Sequence, residues 1–424
     1  MRLHSPVTSF FDRSIFVVVV GMLANIGWPA PARSADELLI DVREIAGLER
    51  VGCPAAYQLE LPAAVPKATT FALQDDKGNP VIAQFSPASD GPLTNRWWLD
   101  FSAPLKPWQT RRYSVHYGAG VQAAGEGTGG NRLLETEASF QVTNAPYITW
   151  TVPKDLAGLL HSVDFPPNDH VRPDSQGLVL RDRDGREHVL GKGFHSGRAT
   201  RNGRRAVALQ FTGTARDEVP AGVRSTVDLT FPSPVSWVEV DWTIEDPQDR
   251  VSGLGMTLRL ALDPPRGDAP TLVDFGAGTW VYAALNAGQA AELQGGPATG
   301  RARPDRLWRV LRGPADRMIP FAVAPDQADA RAEGWGHIMD RRSCLALAVD
   351  QFGSEAADRI VVTAEGDVTI WRNYEQKHAE SDAAAKRLRF WLHFVFYPPQ
   401  HSAATSPRMM QTPPEISTVG SSSK

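Results

Sequence analysis

Residues 238–245 read Val-Glu-Val-Asp-Trp-Thr-Ile-Glu. In an extended chain Val238, Val240, Trp242 and Ile244 fall on one side, and Glu239, Asp241, Thr243 and Glu245 on the other. Strict alternation of this kind specifies a β-strand with one dry face and one wet face. The same period recurs in Val227, Leu229 and Phe231, in Met256, Leu258, Leu260 and Leu262, and in Tyr113, Val115 and Tyr117. Near the end of the chain Leu388, Phe390, Leu392, Phe394 and Phe396 share one face. Trp391, His393 and Val395 share the other, so both faces of that strand are expected to be covered.

Turn residues separate these runs. Asp76-Lys77-Gly78-Asn79, Asp182-Arg183-Asp184-Gly185 and Glu365-Gly366-Asp367 each lie between two apolar segments. Gly and Asx residues tolerate the positive φ that tight hairpins require. Gly 36 and Pro 33 suit many such turns. Helical periodicity is scarce: 286–293 and 379–387 are each long enough for one short helix. Strands do not alternate with long helices, which argues against a parallel α/β fold. The fold class expected is all-β, with antiparallel sheets.

Composition narrows the class further. The chain has 424 residues, 42% of them hydrophobic and 22% charged, with a formal net charge of -4. That is a globular balance, too mildly charged to point to nucleic acid or an anionic membrane as partner. Arg2 and Arg13 precede an apolar run over 15–26, followed by Pro29, Ala30, Pro31, Ala32, Arg33, Ser34 and Ala35. This order matches a signal peptide over 1–35, with cleavage after Ala32 or near Ser34 or Ala35. The run is shorter than the roughly 18 residues a spanning helix needs, which disfavours the alternative of an uncleaved anchor. No later stretch is apolar enough to span, so a secreted or periplasmic protein is expected. The 2 cysteines, Cys53 and Cys344, lack metal-site spacing; two separately buried thiols are favoured over a disulfide. A Gly-rich stretch over 118–131 reads as a linker. It divides a small β-domain (36–118) from a larger one (133–400), and a Ser-, Thr- and Pro-rich tail over 401–424 is expected to fray.

The N-terminal part also carries a resemblance. Residues 75–84 read DDKGNPVIAQ, 96–101 read RWWLDF and 104–118 read PLKPWQTRRYSVHYG. This order resembles the RIFT-type β-barrel that opens members of the exo-rhamnogalacturonan-lyase-like family, and 133–399 resembles the large central β-sandwich that follows it there. The resemblance implies a small barrel, a supersandwich-like second domain and a polysaccharide context. Members of that family continue into an α/α-toroid that has no counterpart in this sequence. The shared features are structural, and none carries a catalytic residue onto this chain.

Candidate chemistry concentrates in Trp371-Arg372-Asn373-Tyr374-Glu375-Gln376-Lys377-His378. Sugar sites use aromatic faces for stacking and planar polar groups for hydroxyls. A uronate lyase also needs a base for the α-proton and a cation for the enolate. Tyr374 or His378 is the candidate base and Arg372 or Lys377 the candidate cation, with Arg372 favoured as the carboxylate partner. Glu375 and Lys377 are candidate substrate contacts, while Trp371 as a plain core residue is the alternative. A hydrolase would need two carboxylates, and only Glu375 is offered here. Trp335 and His337 form a second candidate binding cluster. His195 belongs to a third, over 192–198, which also reads simply as a loop. Alternation turns one of Trp97 and Trp98 inward, leaving at most one for stacking. There is no HExxH, zinc-type Cys/His spacing, GxSxG, Walker loop or GxGxxG. Asp263, Asp268 and Asp274 do not form a calcium loop. No metal and no cofactor are expected, and nothing in the sequence sets an oligomeric state.

These features lead to an exported protein that binds or processes an acidic polysaccharide or its fragments, acting by β-elimination if it is an enzyme. One rival is a non-catalytic binding module stacking sugar on Trp335, Trp371 and Trp280. Another is a structural envelope-associated protein without a small ligand. Convergence of Arg372, Tyr374, His337 and His195 in one pocket would favour the enzyme.

Overall fold

The computed structural model describes residues 36–125, 127–145, 147–166, 168–191, 194–214, 220, 222–296, 307–324, 331–354, 357–375, 385–396 and 407–419. The expected signal peptide lies outside them, as do His378 and Lys377. Among the described residues the chain is almost wholly antiparallel β-structure, with one short helix over 407–411. No helix there is long and apolar enough to cross a membrane.

The alternating segment of the sequence forms strand Trp237–Glu245, the fourth strand of a nine-stranded sheet. The order across that sheet is His195–Asn202, Ala206–Thr214, Arg224–Pro232, Trp237–Glu245, Lys386–Phe396, Ser343–Val349, Trp335–Met339, Thr271–Gly276 and Trp280–Leu285. Val238, Val240, Trp242 and Ile244 point inward and are fully buried. Each such side chain contributes about 1.5–3 kcal/mol of burial energy. An eight-stranded sheet contributes Leu254, Met256, Leu258, Ile360, Val362, Val368 and Ile370 to the same core. A five-stranded sheet over 130–169 adds Phe140, Val142, Trp150 and Val163. Its aromatic rings meet the nine-stranded sheet, Trp150 on Phe231 at 5.2 Å and Phe140 on Phe211 at 6.1 Å. The product is an all-β sandwich.

A second core lies between two smaller sheets at the N-terminus, one of five strands and one of three. Trp97 is buried there beside Phe71, while Trp98 faces away, as alternation requires. A third, small cluster joins the two cores. Trp237, Trp335, Ala348 and Trp391 from the outer face of the nine-stranded sheet pack with Cys53 and Met410. Strand Lys386–Phe396 is therefore covered on both faces, Leu388, Phe390, Leu392 and Phe394 on one and Trp391 on the other.

The turns behave as their residues demand. Gly78, Gly185 and Gly366 have φ of 78°, 82° and 95°. Asp75 accepts the amides of Lys77 and Asn79 at 3.0 and 2.8 Å. Cys53 and Cys344 are separate buried thiols, and burial pushes the Cys344 pKa up.

Four expectations are corrected. The tail does not fray over 415–419: Glu415–Val419 pairs with Asp36–Arg43 and completes the N-terminal five-stranded sheet. Residues 289–295 are a strand rather than a helix, because Gln289–Gly295 is hydrogen-bonded on both sides, to Trp308–Pro314 and to Ala357–Thr363. Tertiary pairing there overrides the helix preference of its alanines. Of 379–387, Lys386 and Arg387 belong to a strand, and 379–384 lie outside the described residues. The loop expected over 192–198 is a strand from His195 onward, paired to Ala206–Thr214; 192–193 lie outside the described residues.

Candidate functional site

The residues singled out in 371–378 are not laid out as a site. Trp371 is buried over Gly255, with the Arg181 guanidinium 4.2 Å and that of Arg359 5.9 Å from its ring centroid. Arg372 clamps the fully buried Asp358 carboxylate with two bonds of 2.8 and 2.9 Å. It also donates to the carbonyls of Asp350 and Arg387. Tyr374 donates its hydroxyl to the Arg387 carbonyl at 2.5 Å, and burial raises its pKa. Glu375 is exposed, and its carbonyl accepts from Arg183.

The histidines stand apart from these and from one another. His195 Nε2 bonds Ser225 Oγ at 2.9 Å, and burial lowers its pKa to about 4. His337 Nδ1 bonds Asp274 Oδ1 at 2.7 Å. The two lie on the first and seventh strands of the nine-stranded sheet, roughly 28 Å apart at 4.7–4.9 Å per strand. Arg372 and Tyr374 sit on or just beyond a strand of the other large sheet. The structure does not bring Arg372, Tyr374, His337 and His195 into one pocket. Trp335 is buried in the small joining cluster, its indole donating to Glu333 at 2.6 Å.

A polar cleft of about 520 Å³ lies elsewhere, on the outer face of the nine-stranded sheet. Its floor is the wet face of the alternating strands. Thr230 and Asp228 come from Arg224–Pro232, Glu239 and Asp241 from Trp237–Glu245, and Arg387 and Arg389 from Lys386–Phe396. Gln210 lies on Ala206–Thr214. Trp98, Ala56 and Pro87, Ala88, Ser89 and Asp90 of the N-terminal sheets form the opposite wall. Register places Gln210, Asp228, Asp241 and Arg389 in one row across four strands. A bulge at Ala199/Arg201 adds a residue to the edge strand. Regular alternation would turn Arg198 and Arg201 to opposite faces; the bulge puts both in the cleft.

Charge pairing in the cleft is uneven. Arg387 holds Asp241 with bonds of 2.7 and 2.5 Å. Arg389 holds Glu239 at 2.8 Å and lies 4.8 Å from the Trp391 ring centroid. Arg198 meets Asp90 at 3.0 Å. Arg201 meets the buried Asp100 at 2.6 Å and lies 4.5 Å from the Trp98 ring centroid. Each of the four guanidiniums thus has a carboxylate. Asp228 is the carboxylate without a guanidinium: it accepts from the Gln210 amide at 3.0 Å. Burial raises its pKa and the Asp241 carboxylate beside it adds to the rise, while the Gln210 amide and, through space, the Arg201 and Arg198 guanidiniums oppose it. Such a group can donate as an acid or accept as a base, among fixed donors and acceptors. No group of three or more His, Cys, Asp or Glu among the described residues is arranged to hold a metal ion.

Sequence reasoning missed this cleft, although its signal was present in the wet faces of alternating strands. What the alternation does not contain is which strands become neighbours: Arg387 and Asp241 are 146 residues apart.

No protein-family model matches the chain, and no curated protein sequence matches it. Solved structures do. One is a protein in the glycosyl hydrolase family 38 from Enterococcus faecalis, with 10% identity and a TM-score of 0.54, covering 91% of this chain and 47% of that one. Another is an α-mannosidase from Enterococcus faecalis V583, with 11% identity and a TM-score of 0.51, covering 91% of this chain and 46% of that one. The chain spans about half the length of each, and at these identities the likeness shows the fold alone.

Proposed function

We propose that this is an exported carbohydrate-binding protein whose cleft takes a neutral oligosaccharide or a neutral stretch of a polysaccharide. The observation that carries the reading is the pairing of all four cleft guanidiniums, with Asp228 left as the carboxylate that holds only an amide. A uronate entering this cleft would have to compete with a carboxylate already paired to each guanidinium, and would meet Asp228 as one further acid. Neutral hydroxyls would meet carboxylate acceptors, guanidinium and amide donors, and the half-buried Trp98. A row of paired polar groups suits hydroxyl recognition because pairing lowers the cost of ordering them on binding. The fold adds context, since structures of like fold carry names of glycoside-processing proteins. For the same reason the cleft supports a neutral ligand better than the acidic polymer expected from the sequence. β-Elimination has no support from Tyr374 and Arg372, whose polar groups are committed to the backbone and to Asp358.

A catalytic reading rests on Asp228 alone, as a proton donor or acceptor at a sugar oxygen. Release of reducing ends by the protein, lost in Asp228→Asn, would favour it. The binding reading is tested on an array of neutral and uronate-containing oligosaccharides. Retention of neutral glycans, abolished by Asp228→Ala and by Gln210→Ala, is expected. Retention confined to uronates, or unchanged in both variants, would overturn it.

A further inference from the structure

The far edge of the nine-stranded sheet carries a second feature that the cleft does not use. Strand Trp280–Leu285 is the last in the sheet, and Trp280 and Tyr282 both point from its outer face, 64% and 57% exposed. Val281, Ala283 and Leu285 between and beyond them are buried in the main core, so the strand itself is anchored. They are two residues apart on one face, with Cα atoms roughly 7 Å from one another.

The Trp280 ring is held from below. It stands edge-on to Trp335, at 5.7 Å between centroids and 80° between planes. The Trp335 indole is fixed in turn by the Glu333 carboxylate at 2.6 Å. Gly276, opposite Trp280 in register, makes room for it: a Cβ there would meet the Trp335 indole at 2.2 Å. Tyr282 sits opposite Asp274, whose Oδ1 is bonded to the ring and the amide of His337 at 2.7 and 3.0 Å. The patch is therefore two presented aromatic faces, with the exposed Glu333 beside one and Asp274 beside the other. A purely apolar protein contact would gain nothing from carboxylates at its centre. A sugar has an apolar C–H face for each ring and hydroxyls for each acid.

We propose that Trp280 and Tyr282 form a second glycan platform, stacking neighbouring sugar units of one neutral polysaccharide chain while Glu333 and Asp274 accept their hydroxyls. This extends the carbohydrate reading to a site separate from the cleft. A ring already held, as Trp280 is by Trp335, loses little entropy on binding, which suits weak, repeated attachment to a polymer.

Affinity electrophoresis through gels containing galactomannan, hydroxyethyl cellulose or pectin tests the platform. Retardation by at least one of the two neutral polymers is expected. Measured in an Asp228→Ala background, so that the cleft does not contribute, retardation should persist; adding Trp280→Ala with Tyr282→Ala should remove it, and adding Trp280→Phe should keep part of it. Both aromatics are exposed, so the double variant should melt within about 2 °C of the parent, which separates lost binding from lost folding. Retardation by neither neutral polymer, or retardation unchanged in the double variant, would overturn the platform while leaving oligosaccharide binding in the cleft to stand or fall by Asp228. A dimer that the double variant dissolves, seen by sedimentation without any retardation, would also overturn it and assign the patch to self-association.

Discussion

Arg372 and Asp228 have opposite surroundings: one is paired to a buried carboxylate, the other is hydrogen-bonded only to an amide. Arg372 is the residue that proximity in sequence puts forward, but its guanidinium lies against a buried carboxylate. Replacing it with alanine strands Asp358 without its partner and should cost about 3–5 kcal/mol, read as a lowered midpoint in urea. Tyr374→Phe removes one hydrogen bond and should cost about 1 kcal/mol while leaving glycan binding unchanged. Asp228 behaves in the opposite sense. Its pKa is raised by burial and by Asp241, so the folded state holds its proton more tightly than the unfolded state does. Stability from this group is highest below the ordinary value of 3.8 and is lost as pH rises through the raised value. Asp228→Asn should therefore melt higher than the parent at neutral pH, with the gap closing toward about pH 4. A gap that widens on acidification would refute the raised pKa. None of this is visible in the sequence around 228, where Asp is one polar residue among alternating neighbours.

At the level of elements, most of the strands were legible, because period-two alternation is a local property and the core simply collects its dry faces. Val238, Val240, Trp242 and Ile244 illustrate this. Where structure and local pattern differ, pairing decides the outcome. The alanines of Gln289–Gly295 are strand because both neighbours hydrogen-bond them, and Glu415–Val419 is ordered because Asp36–Arg43 offers it an edge. The short helix before that last strand acts as a wedge. Met410 fills the joining cluster, and the Met409 and Thr412 carbonyls receive the buried Arg50 guanidinium. Gln411 bonds the Glu333 and Val349 carbonyls at 2.7 and 2.8 Å. Met410→Ala should cost about 2–5 kcal/mol in chemical denaturation, as expected for a cavity against Trp335 and Trp391. A loss below about 0.5 kcal/mol, the size of a surface change, would show that this cluster does not hold the wedge.

In the whole molecule, the cleft exists because two cores meet. The sheet supplies a floor of acids and guanidiniums, and the N-terminal sheets supply the wall that makes it concave. Arg201 and Asp100 tie wall to floor through a buried pair, and Gln84 adds bonds of 2.9 and 3.0 Å to the amides of Arg205 and Ala206. Arg201→Ala should cost about 3–5 kcal/mol by leaving Asp100 buried and unpaired. It should weaken oligosaccharide binding as well, since the same side chain covers Trp98. The candidate site was illegible in sequence for that reason: its parts lie between residues 56 and 389, and only the long-range pairing collects them. Calorimetric titration with a neutral manno-oligosaccharide and with an oligogalacturonate of equal length tests this account most directly. The neutral ligand should bind at least about tenfold more tightly, a difference of roughly 1.4 kcal/mol, and Asp228→Ala should weaken it by a similar factor. Equal or tighter binding of the galacturonate, or neutral binding indifferent to Asp228→Ala, would contradict it.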